Sequence, residues 1–119
     1  MKNKIKKTLH IDLDGVLNQY KGYYTPDNIP PLLDGAKEFL EKISAEYNIK
    51  IFTTRDVILV EEWVKKYRIN KYISGITNKK EVAWAYIDDR CIKFNGDFNS
   101  LKEDLNNFEP WWKNKKTDF

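Results

Sequence analysis

Apolar residues fall along this chain in short runs, separated by breaks that carry Gly, Pro, Asn or Asp. Thr8–Leu13 reads as a first strand, ended by the turn signal Asp14-Gly15. Gln19–Tyr24, rich in aromatics around Gly22, predicts a small hairpin, and Pro26, Pro30 and Pro31 mark a loop after it. Asp34 is placed to cap a helix whose apolar stripe is Ala36, Phe39, Leu40 and Ile43, with Asn48 ending it. Ile49–Thr53 predicts a second strand, apolar up to its end except at Lys50. Asp56 is placed to cap a second helix with Val57, Val60, Val64 and Tyr67 on one face. Tyr72–Ile76 predicts a short strand, Lys80–Trp84 a short helix or turn, and Ala85–Asp88 a buried strand that ends in acid. Ser100 with Glu103 forms a capping-box pattern for a last helix through Phe108, with Leu101, Leu105 and Phe108 inward.

Strands alternating with helices predict an α/β fold: a Rossmann-like, doubly wound parallel sheet with helices on both faces. At 119 residues the chain has room for one core, and it shows no internal repeat. Hydrophobic residues at 41% and charged residues at 33% exclude a disordered chain. No apolar run approaches the roughly 18 residues that span a bilayer. Met1–Lys7 is basic but no apolar stretch follows it, so it does not read as a secretory signal. Cys91 is the only cysteine and cannot form an internal disulfide; a cytoplasmic location is expected.

Charge changes this picture in one respect. The net charge is +3, yet residues 8–112 carry 14 Lys and Arg against 17 Asp and Glu. The body is mildly acidic, and the basic excess lies in the N-terminal end (1–7) and in an aromatic, basic C-terminal tail (109–119). Trp111 and Trp112 beside lysines can stack on nucleic-acid bases; packing of this tail on its own domain or on a second subunit is the favoured expectation. Trp63 and Trp84 are expected in the core, and His10 is expected to be structural.

The acids are not scattered. His10-Ile11-Asp12-Leu13-Asp14-Gly15, Ile51-Phe52-Thr53-Thr54-Arg55 and Tyr86-Ile87-Asp88-Asp89-Arg90 each place polar groups where an apolar strand finishes. In a parallel sheet those carboxyl ends converge on one edge. Within a strand Asp12 and Asp14 share a face and Leu13 takes the other. Gathered carboxylates repel and resist ionisation together, and a hard divalent cation with oxygen ligands, such as Mg²⁺, removes the conflict. Taken singly, an Asp-x-Asp, a Thr-Thr-Arg or an Asp-Asp-Arg says little; the three in this order, each after an apolar run, point to one site.

Ile11-Asp12-Leu13-Asp14-Gly15-Val16-Leu17-Asn18 resembles the first motif of the haloacid dehalogenase (HAD) superfamily of phosphohydrolases. Phe52-Thr53-Thr54-Arg55 resembles the second, Lys80 the third-motif lysine, and Ile87-Asp88-Asp89 the acidic fourth. The match in order and spacing covers residues 8–98 and is nearest to the small capless members. The resemblance implies a single hydrolase domain over 1–119, and a Mg²⁺-dependent phosphomonoesterase. Asp12 is then the nucleophile that becomes an aspartyl phosphate, and Asp14 the acid and base. Mg²⁺ is implied at the carboxylates of Asp12 and Asp88 and at the Asp14 backbone carbonyl, with Asp89 in support. Phosphate oxygens are implied at Thr53, with Thr54 as its neighbour, and at Lys80. Lys79 is the alternative to Lys80, which the downstream match to Asp88 favours. Where many relatives have proline after this lysine, this chain has Glu81. Arg55 and Arg90 are expected to be structural partners of the acids.

The intervals Asp14–Thr53 and Arg55–Lys80 are too short for an inserted cap domain. The site is therefore expected to be open, covered at most by the Tyr20, Tyr23 and Tyr24 segment or by a second subunit in a homo-oligomer. An open site admits a phosphorylated small molecule or the phosphate end of a macromolecule. Two rivals stand beside this reading: a polynucleotide 3′-phosphatase, and a non-catalytic module that binds a metal or phospho-ligand.

Overall fold

Four parallel strands in the order β3-β2-β1-β4 organise the molecule: β1 (Lys7–Asp12), β2 (Tyr47–Phe52), β3 (Gly75–Thr77) and β4 (Ala85–Ile87). The structure is a computed structural model and describes residues 5–113. Lys2, Lys4, Lys115 and Lys116 of the basic ends lie outside the described residues.

Register explains the core. Leu9 pairs with Ile49 and Ala85, Ile11 with Ile51 and Ile87, and Ile51 with Ile76, so these side chains share one face. That face is covered by α1 (Ala36–Ile43) and α2 (Val57–Lys66), which contribute Ala36, Leu40, Val60, Trp63 and Val64 to a single cluster. Ile11, Ile49, Ile51 and Leu40 are completely inaccessible. Each buried aliphatic side chain of this kind contributes about 1.5–3 kcal/mol, and truncation of one to Ala costs about 2–5 kcal/mol. Both helices lie on the same face as the chain steps from β1 to β2 to β3, the arrangement that right-handed crossovers produce.

The chain then reverses and returns past β1 to β4. Asn78–Trp84 makes this return with no helix, across the face that carries His10, Lys50 and Tyr86 in register. Glu81 accepts from Lys50 Nζ at 2.8 Å, the Tyr86 hydroxyl donates to the Glu81 carbonyl, and the Trp84 N–H donates to the Thr8 carbonyl at 2.8 Å. The third helix, α3 (Phe98–Asn106), contributes no buried residue.

Several local expectations are corrected. No hairpin forms at Gln19–Tyr24; Asn18 instead bridges Leu32, with Gln19 N–H donating to the Pro31 carbonyl and Leu33 N–H to the Leu17 carbonyl. Pro30 and Pro31 have no N–H to extend the ladder. Asp34 does not cap α1: Gly35 takes that place at φ +89°, and the Ala36 N–H is satisfied by the Leu33 carbonyl. The helix ends at Ile43, so Asn48 falls inside β2. Asp56 does cap α2, accepting from Ile58 N–H at 2.8 Å. The third strand begins at Gly75, after a tight 3₁₀ turn at Asn70–Tyr72. Asp97, not Ser100, caps α3 by accepting from Asn99 N–H, and Leu105 points to solvent. Trp63 is in the core, whereas Trp84 is exposed beneath the Lys7 ammonium. Among the described residues no helix is long and apolar enough to cross a membrane.

Candidate functional site

The strand order reverses at β1, which lies between β2 and β4, and the carboxyl ends of β1 and β4 are where a ligand crevice is expected in such a sheet. Asp12 closes β1, and Asp88 and Asp89 directly follow β4. One carboxylate oxygen from each of the three lies within 4.8 Å of the others. An Asx turn, in which Arg90 N–H donates to Asp88 Oδ1 at 2.9 Å, fixes one of these acids.

The turn after β1 is shaped by Gly15. Its φ of +85° is one that side chains rarely adopt, and a Cβ there would lie 2.1 Å from Asp89 Oδ2. Only glycine lets the first loop approach the acid of the second so closely.

Proximity has an electrostatic consequence. Burial, then the side-chain hydrogen bond with Asp89, then the charges of Asp88, Asp89 and Asp14 push the Asp12 carboxyl up to about 8. Burial likewise raises Asp88, partly opposed by the Arg90 N–H. Protein charges alone leave this group of acids unreconciled. Its donors are all carboxylate oxygens, without His or Cys, which suits a hard cation such as Mg²⁺ and not a thiophilic or imidazole-seeking metal.

Asp14 departs from the expected alternation. The strand stops at Asp12, Asp14 lies in the turn at ψ 121°, and its carboxylate is not among the grouped acids. It accepts from Arg55 Nε at 2.9 Å and from Arg55 Nη2 and Asn18 Nδ2 at 3.0 Å. Arg55, 2% exposed, also donates to the Thr25 and Pro26 carbonyls and lies against the Tyr24 ring. The guanidinium thus ties Asp14 to the loop that flanks the site, as expected of a structural partner.

Thr53, buried at the end of β2, accepts from Arg55 N–H through its hydroxyl oxygen at 3.0 Å, which leaves the hydroxyl proton available to donate. Thr54 is exposed. Lys80 lines a cavity of about 200 Å³ together with Asp12, Asp88 and Arg90. Its ammonium lies over the Tyr86 ring, 4.7 Å from the centroid. Lys79 is not part of that wall. His10, expected to be structural, also lines this cavity: it is 2% exposed, with no hydrogen-bond partner for either ring nitrogen among the described residues. Burial lowers its pKa.

Two kinds of contributor escape sequence reasoning. Asn78 Nδ2 donates to the Thr53 and Arg55 carbonyls at 2.6 and 2.8 Å and so staples the loop after β2. The segment Thr77-Asn78 to Lys80 belongs to the likeness with the small capless members, but these contacts of Asn78 are not readable from it. Trp111 and Trp112 fold back on the same edge, where Trp111 Nε1 donates to the Gly15 carbonyl and Trp112 Nε1 to Asp89. Their aromaticity signals packing but not a destination.

No family model and no curated protein matches the sequence. The fold is similar to that of a solved structure, a conserved protein from Bacteroides thetaiotaomicron, with a TM-score of 0.58 and 18% identity over 86% of this chain and 91% of that one. This likeness shows the α/β fold.

Proposed function

We propose that this chain is a Mg²⁺-dependent phosphomonoesterase that works through an aspartyl phosphate on Asp12. The observation that carries the reading is the meeting of Asp12, Asp88 and Asp89 within 4.8 Å at the carboxyl ends of β1 and β4. Lys80 in the wall beside them supports it. Asp12, Asp88 and Asp89 are the side chains to hold the cation, which when bound lowers the repulsion between an anionic nucleophile and a phosphate dianion.

The remaining chemistry belongs to the chain. An Asp12 oxygen attacks phosphorus; the bond from phosphorus to the leaving oxygen breaks as that oxygen takes a proton from Asp14. Water then attacks the phosphorus of the aspartyl phosphate and gives its proton to Asp14, releasing phosphate and restoring Asp12. Lys80 and the Thr53 hydroxyl supply positive charge and a donor to the equatorial oxygens, where the transition-state charge spreads. Both oxygens of Asp14 accept from Arg55.

The substrate is a phosphomonoester, either of a phosphorylated small molecule or at a macromolecular phosphate end, since no inserted domain covers the crevice among the described residues. The test is hydrolysis of para-nitrophenyl phosphate by the wild type and by Asp12→Asn, in Mg²⁺ and in EDTA. Turnover in the wild type with Mg²⁺, and in neither the variant nor EDTA, is expected. Turnover that survives Asp12→Asn or EDTA would overturn the reading. A wild type that binds the cation and turns over no phosphate ester would leave a binding module.

A further inference from the structure

The C-terminal segment meets the site through two hydrogen bonds that simple packing does not require. Trp111 Nε1 donates to the Gly15 carbonyl at 2.6 Å, and Trp112 Nε1 donates to Asp89 Oδ2. An indole N–H is a donor only, so each bond has a fixed direction. Gly15 belongs to the loop after β1 and Asp89 to the loop after β4; the adjacent tryptophans therefore tie together the two loops that bound the crevice. The Trp112 indole passes directly over the turn, since a Cβ on Gly15 would lie 2.8 Å from its Nε1. Its ring is held in turn by Tyr20, edge-on at 5.1 Å, and by the Arg90 guanidinium at 5.1 Å. These ring contacts account for packing of the side chain. They do not account for an N–H aimed at the one acid that faces Gly15.

We infer that Trp112 is a positioning residue: its indole N–H orients the Asp89 carboxylate within the acid group, and Trp111 locks the Gly15 turn beside it, so that the C-terminal segment completes the cation site. This rests on the reading of the three acids as a Mg²⁺ site. With Oδ2 held by the indole, the second oxygen of Asp89 has its direction set before any cation arrives. Partners that orient a ligand carboxylate in this way typically account for about 10- to 100-fold in metal affinity.

The experiment is a titration of the full chain with Mn²⁺ as the probe, free ion being counted by electron paramagnetic resonance. It compares the wild type, Trp112→Phe, Asp89→Ala and the double variant. Trp112→Phe keeps an aromatic ring, though a smaller one than indole, and has no donor. It is expected to weaken Mn²⁺ binding about tenfold while unfolding in EDTA stays cooperative. In the Asp89→Ala background the same substitution is expected to add less than about twofold, because a residue that acts through Asp89 has nothing left to orient. Unchanged Mn²⁺ affinity in Trp112→Phe, or an equal loss in both backgrounds, would overturn the inference and leave the metal site standing. Loss of cooperative unfolding in Trp112→Phe would make Trp112 a core residue and overturn it as well. A wild type that takes up no Mn²⁺ would remove the metal site and this inference together.

Discussion

The side chain of Arg55 is fully inaccessible and is paired with Asp14 through Nε to Oδ2 at 2.9 Å. A second contact runs from Nη2 to Oδ1 at 3.0 Å, so the guanidinium fork engages both oxygens. Removal of one partner from a buried ion pair leaves the other charge unmatched. Arg55→Met is therefore expected to lower stability by about 3–5 kcal/mol, and an apolar replacement of both residues to recover much of that loss. Urea denaturation of the two variants checks this; a loss below about 1 kcal/mol in Arg55→Met would rank the pair with exposed ones. Arg55 also spans to the Thr25 and Pro26 carbonyls, so the variant should loosen the loop over the site and show faster amide exchange there.

Gly15 sets the distance between the two acidic loops. Gly15→Ala forces a side chain into φ +85° and against Asp89. The conformational strain alone costs about 1–3 kcal/mol, and the collision must displace Asp89. Reduced thermal stability together with weakened Mn²⁺ binding is expected. Wild-type metal affinity in Gly15→Ala would show that the close approach to Asp89 is dispensable.

The two adjacent lysines are separated by their surroundings. Lys80 shares a cavity wall with Asp12, whereas Lys79 is engaged through its backbone with the Thr77 hydroxyl. Lys80→Met is expected to reduce kcat/KM for an aryl phosphate about 100-fold, as for loss of a preorganised group facing transition-state charge. Lys79→Met should stay within about twofold, the ordinary range for a surface change. Steady-state kinetics of both variants decides; a larger loss in Lys79→Met than in Lys80→Met would move the role to Lys79.

The pH dependence of the metal-free chain follows from Asp12. Its carboxyl is raised from 3.8 to about 8, so the folded chain holds a proton that the unfolded chain has released across that interval. The folded state binds more protons there, and stability in EDTA must fall as pH rises from about 4 to about 8. Asp12→Asn is expected to flatten that slope and to be the more stable chain at its alkaline end. Cation binding favours the ionised carboxyl and releases its proton, so apparent Mn²⁺ affinity should strengthen over the same interval. Denaturation curves and Mn²⁺ titrations along the pH series test both signs. A flat wild-type profile would mean that Asp12 does not carry the proton.

The strand sequence, the helices between strands and the acids at their ends were legible from the chain because they are local. A period of two in β1, a β2 whose Ile49–Phe52 is apolar except at Lys50, and polar groups directly after each run, with carboxylates at β1 and β4, require no knowledge of distant residues. From these, the meeting of Asp12 with Asp88 and Asp89 follows once the sheet is parallel, and the structure does bring them together. Tertiary structure alone decided the rest. Alternation predicts Asp14 beside Asp12, but the left-handed backbone at Gly15 ends the strand and a buried Arg55 from the next loop captures the Asp14 carboxylate. Patterning places Trp84 and Leu105 inward, yet β4 lies at the edge of the sheet and α3 contributes no buried residue, so both remain exposed. The tryptophans near the C-terminus can be read as a packing element, but their destination depends on donors that find acceptors far away in sequence, at Gly15 and Asp89. Composition and period specify which residues seek burial or a partner; which partner each one reaches is fixed only when separate segments are brought to the same edge of the sheet.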